Sequence, residues 1–283
     1  MTYREFILSA VSRLAPLYHV EEARAAASAL LCHFLGIKPY KCLSEPDAAI
    51  GAREEEELEE ALVRMEQGCP LQYVTGFAEF CGMRIRVAPG VLIPRPETEE
   101  LAAMVMNDCE GLELEEDQQF NILDMCTGSG CIAYAMAKDF PEAQVFGCDL
   151  SDDALAVACR QRVKLSGARP VFFRADILQA PPAGLPKFDI IVSNPPYVRE
   201  SEKALMRRNV LDYEPAEALF VPDDDPLRYY RAIRSWSDAL LAPEGRIYLE
   251  VNESLAKETA ALFDGATVRQ DLSGKDRFVV VVR

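Results

Sequence analysis

Apolar residues recur at helical intervals through the first part of the chain. One stripe runs over Tyr3–Leu14, an alanine-rich stretch covers 21–35 and stops at a glycine, and a third stripe runs over Leu58–Met65. Four consecutive glutamates, Glu54 to Glu57, precede the third stripe, where the dipole of a helix favours anions in its first turns. The pattern predicts a small N-terminal helical domain over residues 1–68.

The spacing of apolar residues changes after this region. From Met83 to Val87 apolar and basic residues alternate, which is the two-residue period of a strand. A glycine precedes this segment and a Pro-Gly pair follows it, so we expect a β-hairpin linker over 69–96. The prolines of Leu92–Pro96 favour extended backbone, and a helix is predicted to begin near Thr98.

Short apolar runs alternate with helical segments from about residue 120 onward. This order of strands and helices predicts an α/β domain over 97–283, with a mostly parallel sheet covered by helices on both faces. Near the end, two apolar runs flank a Ser-Gly-Lys-Asp turn, which predicts a hairpin and an antiparallel last strand. The predicted strands are 120–125, 145–149, 171–174, 188–193, 246–251, 266–271 and 278–282, and the predicted helices include 152–165 and 227–241.

Composition restricts the class of protein. Of 283 residues, 49% are hydrophobic and 27% are charged, as in globular proteins with a buried core. The N-terminus lacks a signal-peptide pattern and no apolar run reaches the length of a membrane span, so we expect a cytosolic protein without a membrane partner. Nine cysteines, an odd number without Cys-x-x-Cys spacing, and two histidines favour reduced thiols and no metal site.

The chain is strongly acidic, with a formal net charge of −16. Affinity for nucleic acid comes largely from lysine and arginine, so this charge argues against direct binding of naked nucleic acid. Acidic surfaces instead suit basic protein partners.

A glycine-rich turn follows the first strand of the α/β domain. Asp124-Met125-Cys126-Thr127-Gly128-Ser129-Gly130 leads into a helix, whose N-terminus offers free N–H groups to a ligand. The turn also satisfies the Gly-x-Gly-x-x-Ala form of the dinucleotide fingerprint, which keeps a dehydrogenase open as an alternative. Asp149 ends the second strand 21 residues after Gly128 (149 − 128), where a carboxylate accepts the hydroxyls of a ribose. Asp176, just after the third strand, is a candidate for the adenine end or an ordinary turn residue.

The fourth strand runs into Ser193-Asn194-Pro195-Pro196-Tyr197. Ligands of open parallel sheets bind beyond the carboxyl ends of the strands, so this loop and the glycine-rich turn are expected to face one pocket. Two prolines make the loop rigid, leaving the Asn194 side-chain oxygen and the Pro195 carbonyl as acceptors for a planar –NH2 group. Tyr197 adds a ring that can stack on that group, and no side chain is an obvious general base. A structural Pro-Pro turn with a local Asn194 cap is the alternative interpretation.

These two motifs together carry a family resemblance. The form acidic-x-Cys-x-Gly-x-Gly is similar to the first motif of the Rossmann-like S-adenosylmethionine methyltransferases, with Cys126 where the first glycine usually stands. We expect Cys126 to keep a negative φ, since a side chain is then tolerated. Asn-Pro-Pro-Tyr resembles the motif of methyltransferases that act on planar nitrogens, which include DNA amino-methyltransferases and protein glutamine N5-methyltransferases.

The region before the catalytic domain is similar to one of these groups, the release factor glutamine methyltransferases. The resemblance rests most specifically on Ile93-Pro94-Arg95-Pro96-Glu97-Thr98-Glu99, and also on Pro70-Leu71-Gln72-Tyr73, Glu214-Pro215 and Leu249-Glu250. It implies a substrate, the glutamine of the Gly-Gly-Gln loop in peptide chain release factors, and our hypothesis is that the N-terminal helices dock that partner. The resemblance implies that the segment from Cys126 to Gly130 and Asp149 hold the cofactor, and that the glutamine amide is held by Asn194, Pro195, Pro196 and Tyr197. The full set of candidate cofactor residues is Asp124, Cys126, Thr127, Gly128, Ser129, Gly130, Asp149, Asp176, Ile177 and Asn194.

Three features depart from the family pattern. Val221–Pro226 replaces a glycine-rich loop and carries an acidic run, Asp223–Asp225, that we interpret as a solvated loop. Asn252 stands where a glycine is common, and Ile177 where some members carry a tryptophan. The alternatives that stay open are a nucleic-acid amino-methyltransferase, a ribosomal-protein glutamine methyltransferase and a non-catalytic S-adenosylmethionine-binding protein.

Overall fold

The computed structural model describes residues 1–110 and 119–282, and it divides the chain into two compact units. The helices are α1 Tyr3–Leu14, α2 Val20–Leu35, α3 Lys41–Ser44, α4 Ala52–Glu66, α5 Leu71–Thr75, α6 Pro96–Asp108, α7 Cys131–Asp139, α8 Asp152–Cys159, α9 Arg208–Tyr213, α10 Ala216–Leu219, α11 Arg228–Leu240 and α12 Ala256–Ala260, with 3₁₀ helices at Glu200–Leu205 and Glu253–Leu255. The strands are β1 Phe77–Phe80, β2 Met83–Arg86, β3 Asn121–Met125, β4 Gln144–Asp149, β5 Val171–Arg174, β6 Phe188–Ser193, β7 Val198–Arg199, β8 Phe220–Val221, β9 Leu241–Glu250, β10 Thr267–Gln270 and β11 Asp276–Val282.

The first unit is helical and comprises Met1–Gly76 together with Arg207–Tyr213. A capping box between Thr2 and Glu5 starts α1, and Gly36, at φ 65°, ends α2. The apolar stripes read from the sequence therefore lie on α1, α2 and α4. α9 was not anticipated in this unit, because its residues come after the catalytic loop in the chain. The predicted boundary at residue 68 and the predicted docking role of this domain stay predictions.

The second unit begins with the β1–β2 hairpin and comprises Phe77–Met206 and Glu214–Arg283. Phe80 pairs with Met83, so Cys81 and Gly82 form a two-residue turn at φ 47° and 64°. α6 begins at Pro96, two residues earlier than expected, because proline is well suited to the first helical position.

The second unit contains a seven-stranded sheet in the order β10-β11-β9-β6-β3-β4-β5. The pairs from β9 through β5 are parallel, and β11 runs antiparallel to both of its neighbours. The predicted fold class, an α/β Rossmann-like domain with an antiparallel last strand, a helical N-terminal domain and a hairpin, is thus confirmed. Among the described residues, no helix combines the length and the apolar character needed to cross a membrane.

Both faces of this sheet are covered, so the strands are apolar on both sides. One core cluster joins α6, α7 and the hairpin to one face, and a second joins α11 and α12 to the other. Two element lengths differ from prediction. α8 ends at Cys159 rather than 165, because tertiary hydrogen bonds hold Gln161 outside a helix. β9 starts at Leu241 rather than 246, with an irregularity in its pairing to β6.

Candidate active site

The glycine-rich turn between β3 and α7 contains a residue in an uncommon backbone conformation. Cys126 has φ 60°, in the left-handed region that favours glycine. The expectation of a negative φ at this position was wrong: the backbone keeps the conformation that glycine would adopt, and the side chain is accommodated in it. The reason is tertiary, since the next residue, Thr127, donates its N–H to the Cys148 carbonyl at 2.9 Å and thereby ties the turn to the end of β4.

Gly130, the last residue before α7, is required on steric grounds. It has φ 79°, and a Cβ at this position would lie 3.0 Å from the Phe172 ring and 3.1 Å from the Ala158 side chain. The close approach of the turn to α8 and β5 therefore depends on this glycine.

A buried carboxyl lies beneath the turn. Asp124 is fully buried, and its Oδ2 accepts hydrogen bonds from the Thr127 hydroxyl at 2.5 Å and from the Ala133 N–H at 3.0 Å. Burial raises the pKa of this carboxyl to about 7, while the two hydrogen bonds act in the opposite direction. Its Oδ1 is buried and has no hydrogen-bond partner among the described residues, and the same holds for Ser129 Oγ.

Asp149 is the last residue of the neighbouring strand, β4, and its carboxylate binds two backbone N–H groups. Its Oδ2 accepts the Gly128 N–H at 2.8 Å, and its Oδ1 accepts the Ser151 N–H at 2.9 Å. Each carboxylate oxygen has a second lone pair, so these contacts leave acceptor capacity for ligand hydroxyls. Burial raises the pKa of Asp149, and its hydrogen bonds to backbone N–H groups lower it.

Asp176 and Ile177 come shortly after β5 and line the same cleft as Asp149. Asp176 Oδ1 accepts the Leu178 N–H at 2.9 Å, so the residue caps a turn, as the simpler interpretation held, while also lining the cleft. Ile177 is buried and offers an apolar surface to that cleft.

The register of the sheet brings the two predicted loops together. β3 and β6 are adjacent and parallel, with Met125 opposite Ser193, so Cys126 and Asn194 leave neighbouring strand ends side by side. Both residues line a cleft with about 750 Å³ of empty space, open mouth included. Of the other predicted residues, Gly128, Asp149, Asp176, Ile177 and Pro196 also line it, whereas Asp124, Thr127, Ser129, Gly130, Pro195 and Tyr197 are not part of the lining.

A chain of hydrogen bonds runs behind Asn194. Its Nδ2 donates to the Thr98 hydroxyl at 2.8 Å, and that hydroxyl donates to Glu250 Oε2 at 2.7 Å. The Tyr197 hydroxyl donates to Glu250 Oε1 at 2.8 Å, and burial next to this carboxylate raises the pKa of Tyr197 strongly. Because its hydroxyl is held on the inner side of the loop, Tyr197 lies outside the cleft lining where stacking was expected.

Residues that depart from the family pattern form hydrogen bonds and ion pairs with the segment after the catalytic loop. Asn252 Nδ2 donates to the Tyr197 carbonyl at 3.4 Å and to Glu202 at 3.0 Å. Asp223 accepts from the backbone and the hydroxyl of Ser201, and Asp225 forms an ion pair with Arg231. The acidic run is solvent-exposed at Asp223 and Asp224, as expected, and Asp223 and Asp225 also contact Ser201 and Arg231.

The residues at the glycine-rich turn fit S-adenosylmethionine. Asp149 lines the cleft with acceptor capacity for the ribose hydroxyls, and Asp124 lies buried beneath the turn, whereas the cofactor carries a cationic sulfonium and an ammonium group. The unpartnered Asp124 Oδ1 beneath the turn is a second sign that a polar or cationic group completes this site.

Several lining residues were not identified from the sequence. Leu150, Ser151 and Ala175 directly follow strand ends, so the strand-end rule could have found them. Gly90–Leu92 and Pro215 come from loops, and Glu217, Ala218 and Tyr229 lie on α10 and α11; the approach of these segments to the sheet leaves no local signal.

Comparison with known proteins identifies the family. A family model described as the PrmC N-terminal domain matches residues 5–76, and one described as the methyltransferase small domain matches residues 111–213. The release factor glutamine methyltransferase of Bacteroides thetaiotaomicron is 40% identical over 275 residues, covering 95% of this chain and 96% of that protein. The release factor glutamine methyltransferase of Flavobacterium psychrophilum is 37% identical over 286 residues, covering 99% of each. The chain therefore belongs to the release factor glutamine methyltransferase family and is an S-adenosylmethionine-dependent enzyme.

Proposed function

We propose that this enzyme transfers the methyl group of S-adenosylmethionine to the side-chain amide nitrogen (N5) of the glutamine in the Gly-Gly-Gln motif of peptide chain release factors. The observation that carries the proposal is the position of Asn194, at the carboxyl end of β6 and directly beside the glycine-rich turn. The names of the relatives supply the release factor as partner, and translation places the reaction in the cytosol.

The proposed cofactor residues form one continuous wall. Asp149 would accept the ribose hydroxyls, Asp176 and Ile177 would flank the adenine, and the turn from Cys126 to Gly130 would hold the methionine part. Asp124 would face the cationic end through its free oxygen. The sulfonium of the bound cofactor supplies an electrophilic methyl group.

The residues of the catalytic loop act on the glutamine amide. The Asn194 Oδ1 and the Pro195 carbonyl accept the two amide hydrogens, which fixes the nitrogen in the direction of the methyl group. The same two acceptors stabilise the positive charge that grows on the nitrogen during transfer. Since an amide nitrogen is a weak nucleophile, rigid positioning by the Pro195-Pro196 pair contributes a large part of the rate.

Two alternatives are less well supported. A nucleic-acid amino-methyltransferase shares Asn-Pro-Pro-Tyr, but it needs a basic surface for phosphates and this chain has a net charge of −16. A ribosomal-protein glutamine methyltransferase shares the chemistry, and the names of the relatives favour the release factor instead.

We also propose that the N-terminal helical domain docks the release factor. Deletion of residues 1–68 should then weaken methylation of the release factor and spare cofactor binding. This deletion also removes the helices on which α9 packs, so cofactor affinity is the necessary control for a folded catalytic unit. Unchanged methylation by the truncated enzyme would contradict the docking role.

Methyl transfer from labelled S-adenosylmethionine to a purified release factor tests the function. Parallel reactions contain a factor with the Gly-Gly-Gln glutamine changed to alanine, or duplex DNA. We expect label on the intact factor only, and its loss with Asn194→Ala in the enzyme. Label on DNA, or equal label on the altered factor, would contradict the proposed function.

A further inference from the structure

We propose that Thr98 and Glu250 are positioning residues that lock the Asn194 amide with its oxygen toward the cleft. The proposal rests on the proposed function for what Asn194 receives, and on contacts within the protein for how Asn194 is held. Thr98 belongs to α6 and Glu250 ends β9, so two elements other than the catalytic loop set the orientation of its central residue.

The single proton of the Thr98 hydroxyl determines which end of the Asn194 amide faces Thr98. Thr98 is 2% exposed, and its hydroxyl donates to Glu250 Oε2 at 2.7 Å. A hydroxyl has one proton to donate, so toward Asn194 at 2.8 Å it can only accept. The group of Asn194 that faces Thr98 must therefore be the –NH2. Its Oδ1 is then left on the other side, and it accepts no hydrogen bond from any described residue.

Glu250 imposes this direction on the proton. Its carboxylate is fully buried and accepts two hydroxyls, that of Thr98 on one oxygen and that of Tyr197 on the other at 2.8 Å. Burial raises the pKa of Glu250, whereas the two hydroxyls and the nearby Arg277 cation lower it. As a carboxylate Glu250 is an acceptor only, so the Thr98 proton has one place to go.

The reverse orientation would be unproductive. With its amide flipped, Asn194 would present –NH2 hydrogens to the –NH2 of a substrate glutamine, and neither group would find an acceptor. An amide with both faces open to solvent populates both orientations, whereas the chain Asn194–Thr98–Glu250 leaves one. The protein thus presents an acceptor to the substrate before the substrate arrives.

Thr98→Val tests the relay, since valine keeps the branched shape and removes the hydroxyl. We expect kcat to fall by about 10- to 100-fold, with KM for the release factor and Kd for S-adenosylmethionine within about twofold of wild type. Thr98→Ser restores the hydroxyl and should recover kcat to within about threefold of wild type. Fluorescence of Trp236, the only tryptophan, verifies that each variant is folded. Unchanged kcat in Thr98→Val would overturn the proposal.

A double-mutant cycle separates positioning from a general structural role. If Thr98 acts through Asn194, then Thr98→Val in an Asn194→Ala background should change the residual rate by less than about twofold. A full further loss of 10-fold or more would show that Thr98 acts independently of Asn194.

Hydrogen exchange of the Asn194 side-chain amide tests the relay without any substrate. In ¹⁵N-labelled enzyme this signal is assigned by its absence in Asn194→Ala. We expect one amide proton to be protected in wild type and in Thr98→Ser, and to exchange at least about tenfold faster in Thr98→Val. Protection with no methylation of the release factor would refute the proposed function and leave the relay standing. Equal exchange in wild type and Thr98→Val would refute the relay.

Discussion

Asp124→Asn should change how the stability of the second unit depends on pH. Asp124 is fully buried, and burial raises the pKa of its carboxyl from the usual 3.8 to about 7. When folding raises the pKa of an acid, its protonated form stabilises the folded protein. This contribution to the free energy of unfolding is fully present below the pKa of the acid in the unfolded protein. That contribution is lost as the pH rises through the folded pKa. The relevant window is therefore pH 4 to 7, and stability should fall as the pH increases across it.

The size of the effect follows from the two pKa values. Linkage gives an unfavourable contribution of about 2 kcal/mol at pH 5 and about 4 kcal/mol at pH 8. The free energy of unfolding should therefore fall by about 2–3 kcal/mol over this range through Asp124 alone. In Asp124→Asn the group does not titrate, so this part of the pH dependence should vanish. The constant cost of altered hydrogen bonds to Thr127 and Ala133 cancels in the comparison.

The assay is urea unfolding followed by the fluorescence of Trp236. This single tryptophan lies in the core of the second unit, so it reports on that unit rather than on the helical one. The matched control is Glu142→Gln, which removes an exposed acid of the same unit. A difference between wild type and Asp124→Asn that stays constant between pH 5 and 8 would refute the reasoning.

Three further substitutions test other features of the second unit, each by the urea midpoint. Cys126→Gly should stabilise the folded protein by up to about 1 kcal/mol. It removes the cost of about 1–2 kcal/mol that a side chain has in the left-handed conformation, and it adds a smaller cost because glycine loses more chain entropy on folding. Cys126→Ala keeps a side chain and should give no such gain. Gln161→Leu should destabilise by about 2 kcal/mol, since it leaves backbone groups of the hairpin and the glycine-rich turn unpaired; a cost below about 0.5 kcal/mol would contradict this. Arg95→Met should cost about 2–3 kcal/mol, because it leaves the buried carboxylate of Glu214 without its cation, and a neutral result would show that the Ile93 N–H suffices as a partner.

The sequence was most informative where one local pattern dominates. β5 and β6 were predicted at their observed limits, because short apolar runs between polar turns have few other structures open to them. The two loops of the site were predicted to meet for a similar reason, since parallel strands end at the same edge of a sheet. The observed pairing of Met125 with Ser193 realises this arrangement.

Contacts between distant residues account for what was missed. The length of α8 depends on a side chain, Gln161, that bonds to a hairpin 75 residues away, and the φ of Cys126 depends on the neighbouring strand. The inward direction of the Tyr197 hydroxyl depends on Glu250, 53 residues later. None of these partners is visible in a local pattern, so the residues that hold the catalytic loop in place could not be predicted from the sequence.

The composition of the helical unit has a consequence for synthesis and for engineering. α9 belongs to that unit, and the Tyr213 hydroxyl donates to the Gln67 carbonyl at 2.9 Å. On the ribosome the unit remains incomplete until residue 213 has emerged, so the first segment to be made is not the first to finish folding. A chimaera that exchanges residues 1–76 between relatives would pair the new helices with a foreign α9. Exchanging 207–213 along with them keeps the unit intact.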